Sequence, residues 1–325
     1  MISIVCPFYN EALGVGAFFS RLIPVLDRLE EAYEVICVND GSRDGTLAAL
    51  LAMRALHPSV RVIDLSRNFG KEAALTAGLD AARGDAVIPI DVDLQDNPAL
   101  ITKLVEEWKR GFEVVLAKRA DRRTDSFAKR LTAFLFYRLH NSISSEPVLP
   151  ENVGDFRLMD RKVVEAIKQL PERRRFMKGI FAWVGFRSTT VEYVRDSRSA
   201  GKSRFTGWKL WNLALEGITS FSTAPLRIWT YLGLAVASLA FVYAAFIIIR
   251  TVVHGIDVPG YASLLAVTLF LGGIQLIGLG VLGEYLGRVY SEAKQRPIYI
   301  VRESYEASQA ARREIRVREP EAITQ

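Results

Sequence analysis

Cysteine is scarce in this sequence, and its placement excludes a disulfide-framed domain and a cysteine-based metal centre. Only two of the 325 residues are cysteine. Cys6 and Cys37 each lie inside an apolar, strand-like run, and neither belongs to a CxxC pair or lies near a histidine cluster. We therefore predict that both are reduced thiols within a core.

Two further absences narrow the class of protein. The first residues, MISIVCPFYNE, contain neither a basic n-region nor a long apolar h-region. They are therefore not a signal peptide, and we expect the first domain to be cytoplasmic. No GxGxxG follows the first apolar run, which excludes a dinucleotide-binding dehydrogenase on the visible motif.

Acidic residues are fewer than basic residues in this sequence. The chain has 42 Lys and Arg against 36 Asp and Glu, a formal net charge of +6. This balance suits anionic partners such as nucleotide phosphates, nucleic acid or an acidic lipid surface, although a solvated surface explains it equally well by itself.

Long apolar runs are present, and they lie late in the chain. Residues 230–249 and 262–282 carry no charge, and each is about as long as a helix that crosses a bilayer. A short connection joins them, so we predict a transmembrane hairpin over residues 229–285. Basic residues flank the pair on both outer sides: Arg227, Arg288, Lys294 and Arg296. The positive-inside rule then places both flanks, and so both termini, in the cytoplasm of a two-span plasma-membrane protein. Because the hairpin indicates a membrane protein, we expect no nucleic-acid partner.

The segments beside the hairpin also have distinct compositions. Residues 206–228 combine aromatic side chains with few charges, which favours a helix at the lipid headgroups. Residues 126–144 are amphipathic, and their pattern suits packing on the domain as well as membrane contact. Residues 286–325 form the predicted cytoplasmic tail, which from Val301 onward is charged and is expected to be a frayed helix or disordered.

Residues 1–205 alternate apolar runs with helical patterns. Five strands and their intervening helices predict an α/β domain with a doubly wound, mostly parallel sheet. Ligands of such sheets bind at the carboxyl ends of the strands. Polar motifs follow three of the predicted strands there: Asn10-Glu11, Asp40-Gly41-Ser42 and Asp91-x-Asp93.

The carboxylates of Asp91 and Asp93 are two residues apart on an extended segment and so share a face. Two neighbouring anions repel each other unless a cation lies between them. Mg²⁺ or Mn²⁺ prefers oxygen ligands and bridges to phosphate, and Gln95 can add a neutral oxygen. Asp96 is explained as part of the Asp-Asn-Pro start of the next helix.

Six ordered motifs and the hairpin together resemble one enzyme family. The motifs are CPFYNE, VNDGSRDGT, SRNFGKEAALTAGLDAARGD, DVDLQDNP, VGDFRLMDR and RSAGKSRF. The sequence resembles the polyprenyl-phosphate glycosyltransferases, which are GT-A-fold enzymes of glycosyltransferase family two. Among them it is most similar to the bactoprenol glucosyltransferases, with dolichol-phosphate mannose synthases and aminoarabinose transferases as cousins. The resemblance implies a Rossmann-like GT-A domain over residues 1–205.

The resemblance also implies roles for individual residues. A nucleotide sugar would contact Pro7, Tyr9, Asn10, Glu11, Asp40, Lys71 and Asp91, with Asp40 accepting a hydrogen bond from uracil. Asp91, Asp93 and Gln95 would hold Mg²⁺ or Mn²⁺. Catalytic roles would fall to Asp93, Asp155 and Arg198. The acceptor phosphate would meet Arg119, Arg157, Arg198, Lys202, Ser203 and Arg204, where Arg204 replaces the lysine usual in the family. Three of these features have simpler explanations. Asp40 can form a tight turn, Lys71 can be a solvated lysine, and the basic residues of the acceptor set can form a nonspecific polybasic patch.

The implied reaction transfers a sugar with inversion from a UDP-sugar to polyprenyl (undecaprenyl) phosphate in the bilayer, for modification of cell-envelope glycans. Because a phosphate monoester is mostly dianionic at pH 7, it needs little deprotonation. We therefore expect Asp155 to orient the site or balance charge rather than to act as a base. We favour glucose as the sugar, and the resemblance also suggests a homo-oligomer.

Three alternatives have different consequences. A dolichol-phosphate-mannose-synthase-like or aminoarabinose enzyme would use another donor. A polysaccharide-extending enzyme usually carries a QxxRW motif, and Trp183 lacks the preceding Gln-x-x-Arg. A membrane scaffold that binds nucleotide sugar without turnover would not need the metal-binding pattern of Asp91, Asp93 and Gln95.

Overall fold

The computed structural model describes residues 1–119, 153–173, 175–193, 224–254 and 260–306. The first part alternates strands with helices, as predicted. In chain order these elements are β1 (Ile2–Phe8), α1 (Val15–Leu26), β2 (Tyr33–Asn39), α2 (Thr46–Leu56), β3 (Val60–Leu65), α3 (Lys71–Ala81), β4 (Ala86–Pro89), α4 (Leu100–Lys109) and β5 (Val114–Arg119).

The next described elements complete the domain. They are β6 (Val153–Asp160), α5 (Arg161–Lys168), α6 (Met177–Trp183) and β7 (Ser188–Tyr193). Asp160 ends β6 and caps α5, because its carboxylate accepts a hydrogen bond from the Lys162 backbone N–H over 3.0 Å. The motif VGDFRLMDR is therefore a strand followed by a helix start.

The strands form one eight-stranded sheet in the order β7-β5-β6-β4-β1-β2-β3-β8, in which β8 is Val301–Tyr305. Pairs β1–β2, β1–β4, β2–β3 and β5–β7 are parallel, whereas β6 and β8 run antiparallel to their neighbours. The predicted mostly parallel α/β sheet is confirmed. The chain reverses its direction of winding at β1, which lies between β2 and β4, and a crevice at such a switch point is where open α/β sheets bind ligands.

The core lies on both faces of this sheet. Phe18 and Leu22 of α1 pack on one face, and Ala74 and Leu75 of α3 pack on the other. Both cysteines are buried, free thiols, which confirms the prediction for them.

Two long helices follow the domain. Helix α7 (Ala224–His254, 31 residues) and helix α8 (Tyr261–Ala293, 33 residues) both extend beyond the predicted apolar runs. Within the described part of the chain, one helical stretch, Phe270–Ala293, is long and apolar enough to span a membrane, with a mean hydropathy of 1.3. Helix α7 contains a shorter apolar stretch, Tyr231–Tyr243. The two-span arrangement stays a prediction. The predicted amphipathic segment 126–144, and the interfacial segment as far as residue 223, lie outside the described residues.

The prediction for the tail was wrong over Val301–Tyr305. These residues form β8, which pairs antiparallel with β3, and Val62 lies opposite Tyr305. Two charged residues of this segment form ion pairs with the domain: Arg302 contacts Asp64, and Glu306 contacts Arg61. The backbone pairing and these contacts explain why a charged sequence is ordered here.

Candidate active site

The candidate site lies at the carboxyl edge of the parallel strands. Asn10 follows β1, Asp40 follows β2, and Asp91 follows β4. Because β6 is antiparallel to β4 and β5, its first residues reach the same edge, and this brings Asp155 beside Asp91. The topology thus joins two sequence motifs that are 64 positions apart.

The loops after β1 and β2 are bonded to each other. Asn10 has a positive φ of 53°, its backbone N–H donates to the Ser42 hydroxyl over 3.0 Å, and its side-chain oxygen accepts from the Arg43 N–H over 2.9 Å. The Glu11 N–H donates to the Thr46 hydroxyl over 2.9 Å. Tyr9, Asn10 and Glu11 are exposed, and Pro7 is half-buried, so this predicted nucleotide-binding set lines the open edge.

Asp40 is buried, and its carboxylate organises the loop after β3. It accepts hydrogen bonds from the backbone N–H groups of Phe69 (2.7 Å) and Gly70 (3.0 Å) and from the Asn68 side-chain amide (2.9 Å). Burial raises the pKa of Asp40 more than these donors and the nearby Arg67 lower it. A carboxylate has about four acceptor positions, so a further donor can still be accepted.

Gly41 allows the loop after β3 to pack closely against the loop after β2. Its φ is +59°, and a Cβ at this position would lie 2.2 Å from the Arg67 carbonyl carbon. Both the backbone conformation and the space therefore require glycine.

Lys71 lies between two carboxylates. Its ammonium nitrogen is 2.7 Å from an Asp91 oxygen and 2.6 Å from Asp155 Oδ2. Burial lowers the pKa of Lys71, but the two carboxylates raise it further, so the net shift is upward. Lys71 thus stays protonated as the cation of this cluster.

The pKa values of the two carboxylates beside Lys71 are shifted in opposite directions. Burial raises the pKa of Asp155, but Lys71, Lys178 and Arg157 outweigh it, so the net pKa is below its usual range. Burial raises the pKa of Asp91, Lys71 lowers it, and Asp155 and Asp93 raise it, with a net rise. Asp155 is therefore a weak base, and its orienting or charge-balancing role stays a prediction.

The loop that carries Asp93 and Gln95 is strained. Leu94 has a φ of 57°, a conformation that a bulky residue rarely adopts, and it is buried. The Gln95 backbone N–H donates to Asp93 Oδ1 over 3.1 Å, and the Gln95 side chain is buried. This hydrogen bond holds the turn after β4, and Asp93 lies near Asp91 there. The role of Gln95 as a metal ligand stays a prediction.

The oxygen ligands of Asp91, Asp93 and Gln95 fit a divalent ion that is also coordinated by the substrate. Across the described residues no three or more His, Cys, Asp or Glu side chains converge to hold a metal. Mg²⁺, however, is commonly held by one or two carboxylates together with substrate phosphates and water. Asp155 Oδ1 is buried without a hydrogen-bond partner among these residues, and Asp93 lies near Asp91. A divalent ion would supply a partner for carboxylate oxygens placed in this way.

The predicted acceptor residues fall into two groups. Arg157 is buried, its guanidinium lies 4.2 Å from the Phe181 ring centre and donates to the Gly154 carbonyl oxygen, and burial lowers its pKa to about 10. Arg119 ends β5 and has a buried Nε without a hydrogen-bond partner in the described chain. Arg198, Lys202, Ser203 and Arg204 lie outside the described residues and stay predictions.

Sequence reasoning missed two polar contacts here. Asp96 was interpreted as part of a helix start, yet its carboxylate accepts a short hydrogen bond from the Tyr193 hydroxyl, and the Asn97 side chain accepts from the Ala99 N–H over 3.0 Å. Glu72 lies beside Lys71 and interacts with Asp155, and its buried Oε2 has no hydrogen-bond partner among the described residues. Neither contact has a local sequence signal, because Tyr193 is 97 positions from Asp96 and Glu72 begins an ordinary helix.

The mostly parallel sheet, with acidic residues beyond β1, β2 and β4, is a GT-A-like arrangement. Comparison with protein families agrees: residues 3–168 match Glycosyl transferase family 2, and residues 224–289 match the GtrB C-terminal hairpin. The chain belongs to glycosyl transferase family 2, as the resemblance predicted.

Similar proteins span almost the whole chain. A bactoprenol glucosyl transferase of Shigella phage SfII is 57% identical over 304 residues, which cover 94% of this chain and 98% of that protein. A bactoprenol glucosyl transferase of Shigella phage SfV is 57% identical over 93% of this chain and 98% of that protein. Among solved structures, glucosyl-3-phosphoglycerate synthase from Mycobacterium tuberculosis, in complex with Mg²⁺ and uridine diphosphate, superposes with a TM-score of 0.50 at 20% identity, covering 67% of this chain and 77% of that one. This last likeness supports the fold alone.

Proposed function

We propose that this protein is an inverting membrane glycosyltransferase that transfers glucose from UDP-glucose to undecaprenyl phosphate. The observation that carries the proposal is the 57% identity to a bactoprenol glucosyl transferase over 94% of the chain. The cluster of Asp91 and Asp155 with Lys71 supports it, because the ammonium can attract a diphosphate and the carboxylates can hold the divalent ion that would neutralise it.

The chemistry follows from the charges. A divalent ion held by Asp91, Asp93 and Gln95 would neutralise charge developing on the diphosphate. The acceptor phosphate is mostly dianionic at pH 7 and attacks the anomeric carbon as its own nucleophile. A phosphate–sugar bond forms, the sugar–diphosphate bond breaks on the opposite face, and its electron pair leaves with UDP. The anomeric configuration is thereby inverted.

The residues of the chain position these anions. Asp40 keeps an acceptor position for a base, and Lys71 supplies positive charge near the diphosphate. Asp155, held ionised by Lys71, orients that ammonium rather than removing a proton. Arg119, Arg157, Arg198, Lys202, Ser203 and Arg204 form the proposed phosphate-binding set for the acceptor, and Arg157 acts from beneath the surface, since its side chain is buried.

The long helices supply the membrane anchor in this proposal. The match of residues 224–289 to a C-terminal hairpin family supports two spans, α7 and α8, with the catalytic domain and both termini in the cytoplasm. A homo-oligomer stays a prediction from resemblance. An anchored enzyme meets its lipid acceptor without extracting a long polyprenyl chain from the bilayer.

A donor panel tests the activity. Purified full-length protein in detergent receives undecaprenyl phosphate, Mg²⁺ or Mn²⁺, and one radiolabelled donor at a time: UDP-glucose, UDP-galactose, UDP-GlcNAc or GDP-mannose. We expect lipid-extractable label from UDP-glucose, none with Asp93→Asn, and wild-type label with Glu106→Gln, a charge removal at an exposed position of α4. Label from another donor would reassign the sugar. Absence of label from every donor would favour the non-catalytic scaffold.

Cysteine labelling tests the two spans. The native thiols Cys6 and Cys37 are buried, so an introduced cysteine is the main reactive site. We expect Asp257→Cys, in the connection between the helices, to react with a membrane-impermeant maleimide in spheroplasts. Arg296→Cys, at an exposed position after α8, should react only after lysis. Protection of both positions in intact spheroplasts would contradict the hairpin.

A further inference from the structure

The ammonium of Lys71 bridges two carboxylates that come from different strands. Asp91 follows β4, Asp155 lies near the start of β6, and each is within 2.7 Å of the Lys71 nitrogen. Lys71 is the first residue of α3, directly after Gly70, whose φ is +100°. One flexible side chain at a helix start therefore holds together the two acidic positions of the site.

The bridge has the properties of an exchangeable contact rather than a permanent core ion pair. The side chain of Lys71 is 44% exposed, that of Asp91 is 31% exposed, and that of Asp155 is 14% exposed. Ions from solution reach a partly exposed pair such as Lys71 and Asp91 more readily than a fully buried one. By contrast, the ion pair of Arg61 and Glu34 in the same domain is 6% and 5% exposed, as expected of a structural pair.

The two carboxylates differ in how much they depend on Lys71. Among the described residues Asp91 forms its ion pair with Lys71, whereas Asp155 also lies near Lys178 and Arg157, and Asp155 Oδ1 has no hydrogen-bond partner in the described chain. A divalent ion carries twice the charge of the ammonium and prefers oxygen ligands. It would therefore compete with Lys71 for Asp91.

We propose that Lys71 is a resident counter-ion, which holds Asp91 and Asp155 in the ion-free enzyme and is displaced from Asp91 when a divalent ion binds. The displaced ammonium, attached to the first turn of α3, is then free to contact the diphosphate of the donor. Metal and donor thereby bind cooperatively, because the ion releases the cation that the diphosphate needs. This inference rests on the proposed function for the divalent site and for the identity of the anion.

The test uses Mn²⁺ alone, so it does not depend on glucosyl transfer. Mn²⁺ affinity of the full-length protein in detergent at pH 7.5 is measured by electron paramagnetic resonance without nucleotide. We expect Lys71→Met and Lys71→Gln to bind Mn²⁺ about tenfold more tightly than wild type, because the competing cation is gone. Lys71→Arg keeps a cation and should remain near wild type, as should Lys103→Met, which removes an exposed lysine of α4.

Two further readouts exclude a purely structural role. Mn²⁺ should raise the thermal unfolding midpoint of Lys71→Met more than that of wild type, which also shows that the variant is folded. UDP should strengthen Mn²⁺ binding more in wild type than in Lys71→Met, since only wild type can offer the released ammonium. Unchanged or weaker Mn²⁺ affinity in both folded neutral variants would overturn the proposal, and so would equal coupling to UDP. If Mn²⁺ binds as expected but no donor yields labelled lipid, the proposed function fails while this inference stands.

Discussion

The backbone N–H of Phe69 donates a hydrogen bond to Asp40 Oδ1 over 2.7 Å, and this contact joins the end of β2 to the loop that leads into α3. The Gly70 N–H and the Asn68 amide donate to the other oxygen of the same carboxylate. Because Lys71 directly follows this loop, the hydrogen bonds of Asp40 help to position the Lys71 backbone, and so its side chain, beside Asp91 and Asp155. Asp40 therefore has a structural role beside any contact with a nucleotide base.

The variant Asp40→Asn tests this double role. Its side-chain amide would present a donor to a backbone N–H, which leaves a buried donor unsatisfied and costs about 1–3 kcal/mol of folding free energy. We expect a lower thermal unfolding midpoint together with a higher KM for UDP-glucose. The exposed variant Glu106→Gln serves as the control. A raised KM with unchanged thermal stability would mean that Asp40 contacts only the nucleotide.

Glu72 makes stability depend on pH near neutrality. Burial raises its pKa to about 7, Asp155 adds to the rise, and Lys71 and Lys178 only partly oppose it. The unfolded value is about 4.3, so between about pH 4.5 and 7 the folded state binds more protons than the unfolded state. This contribution to stability is complete below that window and is lost as the pH rises through it.

The matched experiment compares wild type with Glu72→Gln across pH 5 to 8. We expect the glutamine variant to gain thermal stability relative to wild type as the pH rises to about 7, and the difference to level off above it. Glu106→Gln, at an exposed position, should follow wild type throughout. A constant difference between Glu72→Gln and wild type over this range would show that Glu72 does not titrate there.

The hydroxyl of Tyr193 donates to the Asp96 carboxylate, which is 4% exposed. Tyr193→Phe removes this donor and leaves a buried charge with fewer partners, at a cost of about 1–3 kcal/mol. We expect a lower unfolding midpoint and slower glucosyl transfer, because Asp96 directly follows Gln95. Tyr33→Phe is the matched control, since Tyr33 donates to the exposed Asp27 and its loss should cost less than about 0.5 kcal/mol. Equal effects of the two variants would contradict this account.

Local pattern was enough to predict the alternating half of the fold. The runs that became β1 to β5 are apolar and are separated by turn residues and helical periodicity, so each is identified without knowledge of its partners. Strand β8 could not be predicted in this way, because its sequence, VRESY, is mostly polar or charged and its pairing partner β3 lies more than 230 positions earlier. Its order depends on tertiary contacts alone.

The residues of the candidate site likewise include some that local sequence predicts and some that depend on tertiary contacts. Asp91 and Asp93 were recognisable because carboxylates after an apolar strand have a known position in a parallel sheet. The approach of Lys71 to Asp155 across 84 positions was not, since it depends on β6 running antiparallel to its neighbours. Strand direction was the missing information.

The last prediction concerns the contact between the post-helix segment and the sheet. Arg302 of β8 lies 3.2 Å from Asp64, whose side chain is 2% exposed, and it also donates to the Ser66 carbonyl oxygen over 2.6 Å. The other Asp64 oxygen accepts from the Asn39 amide over 2.7 Å, directly before Asp40. Arg302→Met would leave Asp64 as a buried charge with one partner fewer, so we expect a loss of about 1–3 kcal/mol.

A double-mutant cycle separates this ion pair from a general effect on β8. Thermal unfolding midpoints are measured for Arg302→Met, Asp64→Asn and the double variant, with Arg296→Met as a control at an exposed arginine outside the sheet. Because the two residues form one contact, the double variant should lose less than the sum of the single losses, with a coupling of about 0.5–3 kcal/mol. Additive losses would mean that Arg302 acts only through the Ser66 carbonyl and the strand backbone. Non-additive losses would show that Arg302, which follows the long helices in sequence, stabilises Asp64 and through it Asn39, the residue before Asp40.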